Sequence, residues 1–113
     1  ELIKKSLKKY VGLDSYIDST YYQLANRLAL VNFMNSSGQN TNLIYICFAN
    51  DLTHYERHKE WITDLATWEQ VIKDIKIVNK KMLGIEKIIW IIIDLKTGVI
   101  KIYKDKDVKE LHI

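Results

Sequence analysis

Gln23, Asn26 and Arg27 stand close together in a largely apolar stretch, YYQLANRLALVNFMN, that runs from Tyr21 to Asn35. At 100° per residue they fall on one side of a helix together with Leu30 and Met34, while Tyr21, Leu24, Ala25 and Leu28 occupy another. Gln and Asn both donate and accept hydrogen bonds, and a guanidinium can grip a phosphate with two parallel bonds. Such groups suit a helix wall that looks into a polar cleft. They serve equally to tie neighbouring loops or to complete a buried polar network.

Other residues offer less complete chemistry. His54 and His58 stand four apart with Glu56 and Glu60 nearby, a spacing that could gather a metal ion if THYERHKE were helical. A solvated turn is the alternative, and neither a third fixed ligand nor a His-Glu-x-x-His order is present, so no metal set is assigned. Asp-x-Lys occurs three times, at Asp74-Lys76, Asp94-Lys96 and Asp107-Lys109, as expected by chance in a lysine-rich chain. Of these only Asp94 ends a strand-like run. Asp51 could likewise look out from the carboxyl end of a sheet, where α/β sites form, or cap a loop. No catalytic residue is assigned. Lysines cluster at Lys4, Lys5, Lys8 and Lys9, at Lys73, Lys76, Lys80 and Lys81, and at Lys101, Lys104, Lys106 and Lys109, either as solvated faces or as parts of a phosphate groove. Trp61, Trp68 and Trp90 could stack bases, but Trp68 and Trp90 lie in apolar stripes that suit a core.

The elements that must position these groups are legible from pattern. The opening ELIKKSLKKYV reads as an amphipathic helix ended near Gly12, and a second helix runs from about Ser19 to Asn35, with the breaker cluster NSSGQNTN after it. NLIYICFA is apolar on both faces, as in an interior strand covered on two sides, which favours parallel pairing. Thr67 and Gln70 form a capping-box pattern for a helix whose Trp68, Val71, Ile72, Ile75, Val78 and Met82 keep a stripe, with Gly84 as its stop. KIIWIIID is a second buried strand, parallel to the first through a right-handed crossover. LKTG then turns the chain into VIKIYK, read as an edge strand guarded by lysines, with a charged tail behind it. The expected fold is α/β, helices packed on a small mixed sheet in the order αβαββ.

The 113 residues suit one domain, and 48% apolar with 27% charged content is ordinary for a globular protein. A net charge of +3 permits nucleic acid without demanding it. Cys47, the single cysteine, lies in an apolar run and reads as a buried thiol in a reducing, cytoplasmic setting. The most apolar run, IIWIIID, is far short of the roughly 20 residues that span a bilayer, so no membrane partner is expected. The chain opens within a helix and without Met, and it is expected to be a C-terminal fragment of a longer protein.

From Tyr21 to Asp94 the pattern YYQLANRLALVNF, polar loop, LIYICFAND, TWEQVI opening a helix that closes with LGI, then a strand, resembles the C-terminal half of PD-(D/E)XK, restriction-endonuclease-like nucleases. The resemblance implies a partial restriction-endonuclease-like layer in which the first helix of the pattern borders a metal and nucleic-acid cleft. Gln23 matches the glutamine that this helix carries in the superfamily; the position four residues on is Arg27, where some branches have an aromatic. It further implies that the metal-binding Asp and the Glu-x-Lys pair lie upstream of this chain. Mg²⁺, which takes hard oxygen ligands, would then belong to the parent protein, and this segment holds no cofactor and is not competent alone. Gln23, Asn26 and Arg27 would line the cleft, with DNA as partner. The competing expectation is a non-catalytic protein-interaction or oligomerisation domain. Under either view a missing N-terminal half would leave apolar surface exposed and favour self-association.

Overall fold

The computed structural model describes residues 9–10, 12, 21–53 and 62–113. From Tyr21 on, the described elements follow in the order α1 (Tyr22–Ser36), β1 (Ile44–Ala49), α2 (Leu65–Val78), a 3₁₀ turn (Ile85–Lys87), β2 (Ile89–Asp94), β3 (Val99–Lys104) and β4 (Asp107–His112). The α/β class is thus as expected, with one strand more: the order is αβαβββ, because the charged tail is β4. The chain divides into two compact units, Glu1–Leu43 with Asn79–Ile88 and Ile44–Val78 with Ile89–Ile113.

In the first unit α1 buries Leu24, Ala25, Leu28 and Ala29, a 3.6-residue stripe. Tyr21 caps its start without a side-chain hydrogen bond. Its far end closes when Gly38 adopts φ 89° and the N–H of Gln39 donates to the carbonyl of Met34 at 3.1 Å, a left-handed stop that a residue without Cβ adopts freely. Past α2 the chain is held by short-range turns, including Met82 N–H to the Asn79 carbonyl at 2.9 Å and Lys87 N–H to the Gly84 carbonyl at 2.9 Å. Gly84 has φ 78°, and a Cβ there would lie 2.9 Å from Asn32 Oδ1. Glycine is required on both counts.

The second unit is a four-stranded sheet in the order β1-β2-β3-β4. β1 and β2 are parallel, with Cys47 beside Ile92, and β2-β3 and β3-β4 are antiparallel. Parallel pairing follows from the crossover through α2. VIKIYK is therefore an inner strand, not the edge expected from its lysines; β4 lies outside it. The hairpin that adds β4 turns at Asp105-Lys106, with Asp105 at φ 56°, instead of the Asn-Gly or Asp-Gly pair that marks such turns in sequence.

α2 starts at Leu65 because Asp64 Oδ1 accepts the Thr67 N–H at 2.7 Å. Asp64 is thus the cap, in place of Thr67; Gln70 instead donates to Asp74 Oδ1 at 2.9 Å. The helix ends at Val78, six residues before Gly84. It lies on the sheet face that carries Tyr45, Cys47, Ala49, Trp90, Ile92, Asp94 and Lys101: the Lys101 ammonium is 3.0 Å from Glu69 Oε1 on α2. Cys47, Ala49, Trp90, Ile92 and Asp94 are all buried on this face.

The opposite face is the main departure from the sequence reading. Register places Ile44, Ile46 and Phe48 of β1 on it, beside Ile89, Ile91 and Ile93, then Ile100 and Ile102, then Leu111. Ile44, Ile46 and Phe48 are 51%, 55% and 48% exposed, so β1 is covered on one side, not two. It is also the outermost strand among the described residues.

Candidate functional site

Gln23, Asn26 and Arg27 stand together on the exposed side of α1, opposite its buried stripe. Spacings of three and four residues bring their side chains within reach of one another. The asparagines that hold loops on this helix are different ones. Asn32 Nδ2 donates to the carbonyls of Tyr10 and of Leu83, the second at 2.9 Å. Asn35 takes the Thr41 N–H at 2.7 Å on its oxygen and returns a bond to the Thr41 carbonyl at 2.9 Å. Both roles depend on loops far along the chain or on an irregular backbone, and periodicity alone carries no sign of either.

Beside these asparagines lies a cavity of about 260 Å³, with Leu28, Val31, Leu43 and Ile88 as apolar lining and Asn32, Asn35, Asn40, Asn42 and Lys87 as polar lining. Gln23, Asn26 and Arg27 are not among its lining residues.

In the second unit an open cleft of about 530 Å³ sits at the carboxyl ends of the parallel strands β1 and β2, lined by Asn50, Asp51, Leu52, Thr53, Leu95 and Lys96. Sites in α/β sheets form at such ends. Asn50 holds φ 56°, a left-handed conformation that Asn tolerates better than most residues. Its side chain donates to Asp94 Oδ1 at 2.9 Å. Asp94 also accepts the Lys96 N–H at 3.0 Å and the Thr97 hydroxyl at 2.9 Å. The Asn50 bond foremost, with those from Lys96 and Thr97, holds the Asp94 carboxyl below its ordinary range against the opposing effect of burial. With both oxygens engaged, Asp94 fastens the β2-β3 turn to the end of β1; as a metal ligand it would have to give up part of that network. Asp51 Oδ1 accepts from the Thr53 N–H at 3.0 Å and from the Thr53 hydroxyl. That is the loop-capping use of Asp.

The covered face of the sheet holds two more perturbed groups. Burial pulls the Glu69 carboxyl up, but Tyr103 and Lys101 beside it bring it below its ordinary value. Burial and the Glu69 carboxylate push the Tyr103 phenol up. Lys101 is thereby committed to Glu69, with Glu110 at 3.8 Å as a second partner, and it leaves the solvent-facing set of lysines that the sequence suggested. Trp90 is buried and stacks on Tyr45 at 4.9 Å. Trp68 is half-buried and donates its indole N–H to the Phe48 carbonyl at 3.0 Å.

Among the described residues no group of three or more His, Cys, Asp or Glu is arranged to hold a metal ion, and no helix is long and apolar enough to cross a membrane. His54, His58, Glu56, Glu60, Trp61, Lys4, Lys5 and Lys8 lie outside the described residues. No protein-family model, curated protein or solved structure matches the chain.

Proposed function

We propose that the chain is part of a PD-(D/E)XK nuclease-like protein and contributes a wall of its nucleic-acid cleft, without completing a catalytic centre itself. The observation that carries this reading is the joint exposure of Gln23, Asn26 and Arg27 on one side of α1, whose other side is buried. An exposed guanidinium flanked by two amides can take a phosphate bidentately while the amides hydrogen-bond sugar or base edges. The helix-strand-helix-strand order is the pattern on which the resemblance rests. Arg27 is the phosphate contact, and Gln23 orients a water or a catalytic side chain supplied from upstream, where Mg²⁺ would be held.

The test is fluorescence anisotropy with single- and double-stranded oligonucleotides, comparing the wild-type chain with Arg27→Ala. Nonspecific affinity of about 10⁻⁴ to 10⁻⁶ M is expected near physiological salt, with a salt slope reduced by about one phosphate contact in the variant. A wild-type chain that binds neither strand form, or an Arg27→Ala chain that binds as well as wild type, would remove Arg27 from this role.

A second reading, a protein-interaction or oligomerisation domain, is favoured by the uncovered sheet face. At about 4.8 Å between strands and 3.3 Å per residue, the rows from Ile44 to Leu111 cover roughly 300 Å². The largest apolar patch on a typical monomer begins at about that size and is often functional.

A further inference from the structure

We propose that two copies of this chain pair through the open edge of β1, antiparallel, about a two-fold axis that passes beside Tyr45. The proposal rests on the second reading above and is independent of nucleic-acid binding.

Backbone groups alternate in direction along a strand. The Ala49 carbonyl accepts the Leu95 N–H at 3.0 Å, so it faces β2, and the backbone N–H and C=O groups of Ile44, Ile46 and Phe48 face outward. The carboxyl end of that outer side is already closed. Trp68 donates its indole N–H to the Phe48 carbonyl at 3.0 Å, and the Asn50 N–H donates to the Thr63 carbonyl at 2.8 Å. Two complete rungs remain, Ile44 and Ile46, and among the described residues no strand lies beyond them.

Those two rungs are self-complementary. With the axis at Tyr45, Ile44 of one copy stands opposite Ile46 of the other, in the pairing where directly opposed residues exchange both N–H···O bonds. Four bonds then satisfy every N–H and C=O of both open rungs on both copies. A two-fold axis perpendicular to the sheet generates this antiparallel arrangement and closes it at two copies. The sheet becomes eight-stranded, and Ile44 and Ile46 meet their copies on the uncovered apolar face. β1 carries no charge from Ile44 to Ala49, so nothing on the strand repels its copy. The other edge, β4, carries Asp107, Lys109 and Glu110, the usual guard against such pairing. An overlap of two rungs buries less than the ~1,200 Å² of a standard stable interface, so the pair forms in proportion to concentration and is not permanent.

Sedimentation velocity on the full chain, from micromolar to millimolar, reads the proposal directly. A dimer fraction that grows with concentration is expected, falling at least tenfold in association constant for Ile46→Pro, which removes an outward N–H and keeps an apolar residue. Ile91→Lys, on β2 and the same face but away from the edge, should still dimerise. A monomer at every concentration overturns the pairing. So does association lost in Ile91→Lys and kept in Ile46→Pro, a result that would leave the interaction reading standing through face-to-face packing. Circular dichroism establishes that each variant folds. If Ile46→Pro does not, cross-linking decides: Tyr45→Cys in a Cys47→Ser background places two thiols opposite each other at about 4.5 Å between Cα atoms. A disulfide dimer on mild oxidation supports the pairing, and persistent association without one overturns it.

Discussion

The two faces of the sheet differ in side chains and in fate: the face under α2 mixes Tyr45, Cys47, Ala49, Trp90, Ile92, Asp94 and Lys101, whereas the other is mostly isoleucine. Ile92 is fully buried under α2, whereas Ile46, on the opposite face of the neighbouring strand β1, is 55% exposed. The identity of an isoleucine does not decide its face; the alternation of side chains across the pleat and the placement of one helix do so. The covered face also collects the polar specialities of the second unit, Lys101 with Glu69 and Asp94 with Asn50, while the uncovered face is plain aliphatic surface over most of its area. One face is specified by fit and hydrogen bonding, the other only by hydrophobicity.

Substitutions can sharpen or break that contrast. Ile92→Ala should cost about 3 kcal/mol in urea unfolding, as a large-to-small change in a fully packed site; a cost below about 1 kcal/mol would mean the covered face is not a core. Lys101→Met should lose about 1 kcal/mol after allowance for partial exposure of the ion pair, with the loss insensitive to added salt only if the pair is well shielded. Asp94→Asn should lower Tm near neutral pH. The folded-state pKa of Asp94 is depressed, so its contribution is fully present above the unfolded value near 4 and disappears as pH falls through the folded value. Wild type and variant should therefore converge in strong acid, and a gap that stays constant with pH would rule out the carboxylate as its source. Ile46→Ala should change stability least, within about 0.5 kcal/mol in dilute solution, because a side chain that is 55% exposed has little packing to lose.

Much of this arrangement is readable from the residues. LIYICF and IIWIIID are long enough and β-branched enough to announce themselves as strands, and the helical stripe between them fixes their parallel pairing. The coverage of β1 is not readable. An apolar residue on an uncovered face looks the same as one beneath a helix. β4 escapes because DVKELH has only Val108 and Leu111 as large apolar residues, on opposite faces, and its turn lacks the usual Asn-Gly or Asp-Gly signature. The exposure of Gln23, Asn26 and Arg27 follows from helical periodicity, whereas the Asn32 link to Leu83 and the Asn50 link to Asp94 span 51 and 44 residues. Such links are products of tertiary structure, and no local pattern encodes them.

Cys47 turns the covered face into its own reporter. The thiol is buried, and that burial pushes its pKa up, so the reactive thiolate is scarce while the face stays closed. Alkylation must wait for the face to open. The rate at which a small electrophile labels Cys47 therefore counts those openings, giving a clock for local unfolding that is read by mass spectrometry on the wild-type chain without any substitution.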